Sequence, residues 1–401
     1  MSLNYEQLGP QVKELGQRAV ARENRLNELR GQAKGLLQEL AEETAHLQGK
    51  VERAANQNPA LRCASPRQEP LTARFAAPDA PEKARILAVD GSQIHPDPHA
   101  PAQYYLVNVG GLWSDIHRDQ PPQTFIETNL RFEEDVYTPY GLVSRGQVAL
   151  ERDVAEREAI ATKAASLVEV PENAVLLITL TDGPLELWES HDRGGIRSPA
   201  FRGGLKRYQG ALHELCRLGA ITAGYVDKPR ADYVVRLLEI ATLPDNELGN
   251  VDQHRPFQGV SDVDVYANLL RPGERSAVFG IQAYSSSDYT GEIALHFFYL
   301  NVGRAGHPWL ARVEIPAWVA EEEKDLDSLH AALLHQCRMM GGVGYPYLLH
   351  RAHEIAVVQR EEQELLTEMI LRERRRRGVS VGQTSHKQYY KDQSGRKRYR
   401  R

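Results

Sequence analysis

"ILAVDGSQ", residues 86–93, is the stretch whose reading decides the fold. Ile86, Leu87, Ala88 and Val89 form an unbroken apolar run, as expected of a strand buried on both faces. Asp90 ends the run, and Gly91 predicts a sharp turn directly after it. A second stretch, "AVLLITLTDG" (174–183), has the same form: a buried strand, then Asp182, then glycine. An Asp-Gly pair after a strand is ordinarily a turn. Two such pairs mean more because of the topology that follows from the elements between them.

Working outward, the pattern after residue 85 is strand, strand, strand, helix, strand, helix, strand. The strands are 85–90, 103–113, 123–132, 174–183 and 221–229; the helices are 144–168 and 203–219. Short connections make the first three strands antiparallel, and intervening helices make the later ones parallel. The expected fold is therefore α/β, a mixed sheet flanked by helices. Further strands are expected at 277–284, 293–303 and 309–316, and helices at 327–340 and 347–377.

Residues 5–55 lack strand patterning. Leu26, Leu29, Ala33, Leu36, Leu40, Leu47 and Val51 lie on a seam of alternating three- and four-residue spacing, interrupted near Glu43 and Thr44. This predicts a long, coiled-coil-like helical arm over 1–57 that pairs with a partner helix or folds back on the body. Pro59, Pro66, Pro70, Pro78 and Pro81 make 58–84 a linker. A main domain over 85–370 and a basic tail over 371–401 complete the expected organisation, the tail read as disordered.

The bulk numbers narrow the class. At 401 residues the chain can bury a sizeable core, and 41% hydrophobic with 26% charged residues is ordinary for a soluble protein. No apolar run is long enough for a membrane span, and the N-terminus lacks a signal-like apolar core, so a cytoplasmic protein is expected. Cys63, Cys216 and Cys337 are too scattered for a disulfide framework or a zinc site. No phosphate-cradling GxxxxGK motif occurs. The net charge of −5 conceals an asymmetry. Residues 372–401 hold twelve Lys and Arg against Glu373 and Asp392, a net of +10 that leaves the rest at −15. A basic end with interleaved Tyr389 and Tyr390 suits non-specific contact with a polyanion.

The first antiparallel strand and the first parallel strand are usually neighbours in such a sheet, which would bring Asp90 and Asp182 side by side. Adjacent carboxylates repel unless a cation lies between them or one is protonated. Oxygen donors suit Mg²⁺ or Mn²⁺, and a third acid from the helix would complete a site for phosphodiester chemistry. The helix offers Glu151, Glu156 and Glu158. Glu151 and Glu158 share a face, and Glu156 lies among small apolar neighbours. Spacing alone does not choose between them.

This order of acids resembles the ribonuclease H-like nuclease fold. More specifically, the blocks "AVDGSQ" (88–93), "TDGPLE" (181–186), "GYVDKPRADYVVRLL" (224–238), "HFFYLNVG" (296–303), "RVEIPAWV" (312–319) and "GYPYLLHRAHEIAVV" (344–358) resemble the NurA family of DNA repair nucleases. The resemblance implies a divalent-metal-dependent nuclease, Mn²⁺ favoured over Mg²⁺, acting as a 5′ to 3′ exonuclease and single-strand endonuclease on DNA. It implies a HerA-type hexameric ATPase as partner in end resection and double-strand-break repair, and a homodimer. It places the family's acids on Asp90 and Asp182, and its glutamate on Glu156 or Glu151, with the Arg152-x-x-x-Glu156 context favouring Glu156. It places a tyrosine and a histidine on Tyr345 and His353. His353 would take a proton from water or bind a second metal, and Tyr345 would contact a phosphate or stack on a base. Lys228, Arg230 and Arg236 are expected to grip backbone phosphates. The competing expectation is a non-catalytic DNA- or ATPase-binding protein of the same fold.

Overall fold

A computed structural model of the chain describes residues 3–81, 83–116, 121–139, 141–168, 175–188, 197–341 and 343–379. Along the chain, α1 (Tyr5–Glu39) and α2 (Thr44–Gln57) precede β1 (Cys63–Pro66) and β2 (Arg74–Phe75). β3 (Ala84–Ile94), β4 (Tyr104–Asp115) and β5 (Gln123–Phe132) follow, then the small ribbon of β6 (Tyr137–Thr138) and β7 (Gly141–Leu142). α3 (Arg145–Val168), β8 (Leu176–Asp182), α4 (Pro199–Arg217), β9 (Ile221–Val226) and α5 (Tyr233–Thr242) alternate. The described elements end with α6 (Asp262–Tyr266), β10 (Arg275–Ser276), β11 (Phe279–Gln282), β12 (Leu295–Asn301), β13 (Leu310–Pro316), α7 (Ala317–Ala320), α8 (Glu323–Met339), α9 (Tyr347–Ala356) and α10 (Arg360–Arg376). None of the described helices is long and apolar enough to cross a membrane.

The elements form two compact units. The first holds β3, β4, β5, β8, α3, α4, α9 and α10, in strand order β8-β3-β4-β5. β3 and β4 pair antiparallel with Asp90 opposite Gly110, and β4 pairs β5 with Gly110 opposite Ile126. β8 runs parallel to β3, in register from Ala84 opposite Leu176 to Val89 opposite Thr181. This is the expected mixed pattern. β3 and β4 carry near-continuous apolar runs because helices cover both of their faces, whereas β5 is largely exposed.

The second unit holds α1, α2, α5 to α8 and the strand order β1-β11-β12-β13-β9, antiparallel where pairing is described. Its core gathers Leu37, Leu47 and Val51 from the N-terminal helices with Val235 and Leu238 of α5 and an aromatic cluster of Tyr266, Phe279, Phe297 and Tyr299.

Four expectations need correction. β3 does not stop at Asp90 but runs on to Ile94, and Gly91 sits inside the ladder opposite Val109. The 58–84 segment is not a plain linker: it contributes β1 and β2 and buries Leu61, Cys63, Ala64 and Leu71. Pro66 is tolerated because β1 is an edge strand. The helix expected over 347–377 is two helices, broken at 357–359. Residues 371–376, expected in the tail, belong to α10, and the tail from 380 lies outside the described residues.

Candidate active site

The site grows from one row of side chains across three strands. Ser92, Asn108 and Thr128 are register partners on β3, β4 and β5. Ser92 Oγ donates to the Ala356 carbonyl (2.5 Å), and so does Asn108 Nδ2 (2.8 Å). Thr128 Oγ1 donates to Asn108 Oδ1 (2.6 Å) and orients the amide. Ala356 is the last residue of α9, so the row satisfies a carbonyl that the helix end would otherwise leave orphaned. The Val358 N–H in turn donates to Ser92 Oγ (3.3 Å). This grip, with the chain turning into α10, explains the break that periodicity did not reveal.

The next row is Asp90, Gly110 and Ile126. A Cβ on Gly110 would lie 2.6 Å from the Ala356 nitrogen, so only glycine lets the α9 backbone rest on β4. Seated in this way, α9 brings His353 Nδ1 to 2.7 Å from Asp90 Oδ2. Asp90 is largely buried, with its side chain 14% exposed, while His353 stays open to solvent at 61%. His353 lies in the last turn of α9.

Gly91 faces the opposite side of the sheet, toward α3. A Cβ there would lie 2.5 Å from Glu156 Oε1 and 2.8 Å from Arg152 Cγ. Glycine is therefore required for space and not, as expected, for a turn. It leaves room for the Glu156 carboxyl over Gly91. Arg152 holds that carboxylate at 3.1 Å and also donates to Gln93 (3.1 Å) and Asp153. Burial pushes the Glu156 carboxyl up to about 8, Arg152 opposing and Asp153 and Asp90 reinforcing the rise. Asp182 ends β8 one residue past Thr181, as Asp90 follows Val89. Parallel pairing thus puts both acids at equivalent strand positions on the same face. Gly183 after it has φ +84°, a genuine turn.

Of the three helix glutamates, Glu156 alone addresses β3. Glu151 lies five residues earlier, roughly 140° around the helix. It meets Arg131 (3.6 Å) and the Tyr105 hydroxyl (3.4 Å), and Glu158 pairs with Arg207 (2.5 Å). Both line a cleft beside β5 that Arg131 and Arg207 also line.

Tyr345, Lys228, Arg230 and Arg236 belong to the other unit. The Tyr345 ring stands edge-on to Tyr225, with centroids 5.6 Å apart. Lys228 Nζ sits 4.2 Å from the centre of the Trp309 ring, and Arg230 is exposed. Arg236 is corrected: its guanidinium is buried against Glu239 and the carbonyls of Val251 and His254, so it holds its own unit together and does not face phosphate.

Among the described residues no three His, Cys, Asp or Glu side chains lie close enough to hold a metal ion as they stand. The donor types present, the carboxylate oxygens of Asp90, Asp182 and Glu156 and the imidazole of His353, are the kind suited to Mn²⁺ or Mg²⁺. The glycine-made gap that admits Glu156, and the buried acid held up by desolvation, fit such a cation in chemistry.

The NurA domain model matches residues 84–358, more than half of the chain. The chain belongs to the NurA family. No curated protein matches it. Solved structures similar to this NurA-family chain include Drosophila Piwi, at 9% identity over 69% of this chain and 30% of that one, with a TM-score of 0.30. The chain thus spans 30% of the length of Piwi. The catalytic domain of human Endonuclease V is 12% identical over 84% of this chain and 99% of that one, with a TM-score of 0.29. Endonuclease V from Ciona intestinalis, solved with a 24mer DNA containing an inosine followed by a ribo-adenosine, is 9% identical over 79% and 96%, with a TM-score of 0.28.

Ser92 and Asn108, which hold the end of α9, are not singled out by the sequence. The available signal was "NVGGLW" (108–113), in which two glycines interrupt a strand that is otherwise apolar, a mark of close backbone approach.

Proposed function

We propose that this chain is a ribonuclease H-like, divalent-metal-dependent nuclease that hydrolyses DNA phosphodiester bonds. In this reading it acts as a 5′ to 3′ exonuclease and single-strand endonuclease in end resection and double-strand-break repair, as a homodimer with a HerA-type hexameric ATPase. NurA membership supports a nuclease. The observation that carries the reading further is Asp90 held by His353 at 2.7 Å with Glu156 admitted over Gly91.

Asp90, Glu156 and Asp182 would hold Mn²⁺ or Mg²⁺, whose chemistry is to polarise a phosphoryl oxygen and acidify bound water. Asp90 accepting from Nδ1–H fixes the His353 tautomer and leaves the Nε2 lone pair to take a proton at the solvent-facing side. Arg152 offsets the charge of Glu156 beside Asp90 and keeps that carboxylate over β3. Arg230 and Lys228 supply positive charge for backbone phosphates. Tyr345 offers a hydroxyl and a ring face in the same role.

Labelled linear DNA with Mn²⁺ tests the proposal. Asp90→Ala, Glu156→Gln and Asp182→Ala should each lower cleavage by at least about 100-fold, with Glu151→Gln near wild type. Cleavage that persists in the Asp90 or Asp182 variant refutes the site. DNA retention by a wild type that never cleaves refutes the enzyme.

A further inference from the structure

β5 is ten residues long and lies at the end of its sheet, and no described strand pairs its outer side. An open edge of that length is normally guarded by lysines, proline or a bulge, because it templates pairing with another chain. β5 contains no proline or lysine, and its pairing with β4 is continuous from Gln123 to Phe132. It also leaves Ile126 60% and Phe132 52% exposed.

The sequence of this edge is complementary to itself. Antiparallel pairing of two copies about Asn129 sets Glu127 opposite Arg131 and Ile126 opposite Phe132, twice each by symmetry. Face alternation is kept, so charged residues meet on the α3 side of the sheet and apolar residues on the other. Directly opposite pairs of both kinds stabilise a ladder, and like charges in the same places oppose it. We propose that β5 is a self-association edge whose occupant is the β5 of a second copy of this chain, joined into one continuous sheet about a two-fold axis through Asn129. The proposal rests on the homodimer reading above but not on the nuclease reading.

Arg131 already has acidic company within its own chain, 3.6 Å from Glu151 and 4.0 Å from Asp135. A charge swap separates that local role from pairing between copies. In sedimentation analysis of the full chain, Glu127→Arg and Arg131→Glu should each weaken dimerisation at least about tenfold, because each puts like charges opposite one another twice. The double variant should return to wild type, although its local contact to Glu151 stays broken. Ile126→Asp should weaken the dimer with the circular dichroism spectrum unchanged. A dimer indifferent to both single swaps, or one the double variant fails to restore, overturns the edge assignment and leaves a homodimer through another surface. A wild type that is monomeric at micromolar concentration overturns the homodimer itself.

Discussion

Gly91 shows how little a residue's type reveals of its task. A glycine after an Asp invites a reading as a turn, yet here the chain runs straight through and the missing side chain is what matters. The atoms that a Cβ would strike are the ends and stems of Glu156 and Arg152, which can swing aside. Gly91→Ala should therefore fold, with a melting temperature within a few degrees of wild type, while displacing Glu156. A misplaced group costs on the order of 100-fold, so cleavage should fall by about that much; an Ala variant with full activity would show that Glu156 needs no path over β3. Asp262 makes the opposite point in the other unit. It accepts from the Tyr299 hydroxyl (2.6 Å) and from the Val234 and Val235 N–H groups, yet burial pushes its carboxyl up to about 6. A folded-state value above the ordinary one near 3.9 means that the native state binds the proton more tightly. The stability this supplies is present in full below about pH 4 and is lost as pH rises through about 6, a change on the order of 3 kcal/mol. Urea unfolding of wild type and Asp262→Asn from pH 4 to 7 should diverge by that amount, and parallel curves would contradict it.

At the scale of the element, α9 is seated by side chains, not by its own propensity. Its end is held by Ser92 and Asn108, and its backbone rests on Gly110. Removing both donors with Ser92→Ala and Asn108→Ala leaves the Ala356 carbonyl unpaired. That should cost about 1–3 kcal/mol of stability and lower kcat about tenfold with KM unchanged, since the pair sets His353 and touches no substrate. A rise in KM alone would place the two residues at the substrate. The strands of this unit were legible because each is a short apolar or alternating run between polar breaks: β5 falls where expected, and α3 begins within one residue. Asp90 and Asp182 stand out in the sequence because each closes an apolar run and precedes a glycine, although only Asp182 ends its strand. The break before α10 was not, because residues 347–377 contain no glycine or proline between Tyr347 and Arg377 and the cause lies in β3 and β4. Nor was the burial of Arg236, since a helix arginine paired with Glu239 reads the same whether it faces solvent or core.

For the whole molecule, the seam in the N-terminal segment is real but serves only part of its length. From Leu26 onward α1 meets its own unit: Leu26 approaches Gly259, Arg30 pairs with Asp264 at 2.9 Å, and Ala33 and Leu37 are buried. Before Leu26 the helix is exposed but for Leu8, with Val12, Leu15 and Val20 each more than 60% open. About 30 Å of helix, at 1.5 Å per residue, thus covers little apolar surface of the described residues. A single helix of that length gains little from propensity alone, so its contribution to the fold is small. Leu37 is the contrasting case, 2% exposed within a core shared with α2 and α5. Deleting residues 1–25 should leave the unfolding free energy within about 1 kcal/mol of wild type, whereas Leu37→Ala should lower it by about 2–5 kcal/mol through the cavity it opens. Denaturant titration of both proteins checks this. A deletion as costly as the core substitution would mean that the first 25 residues are packed against the protein in solution.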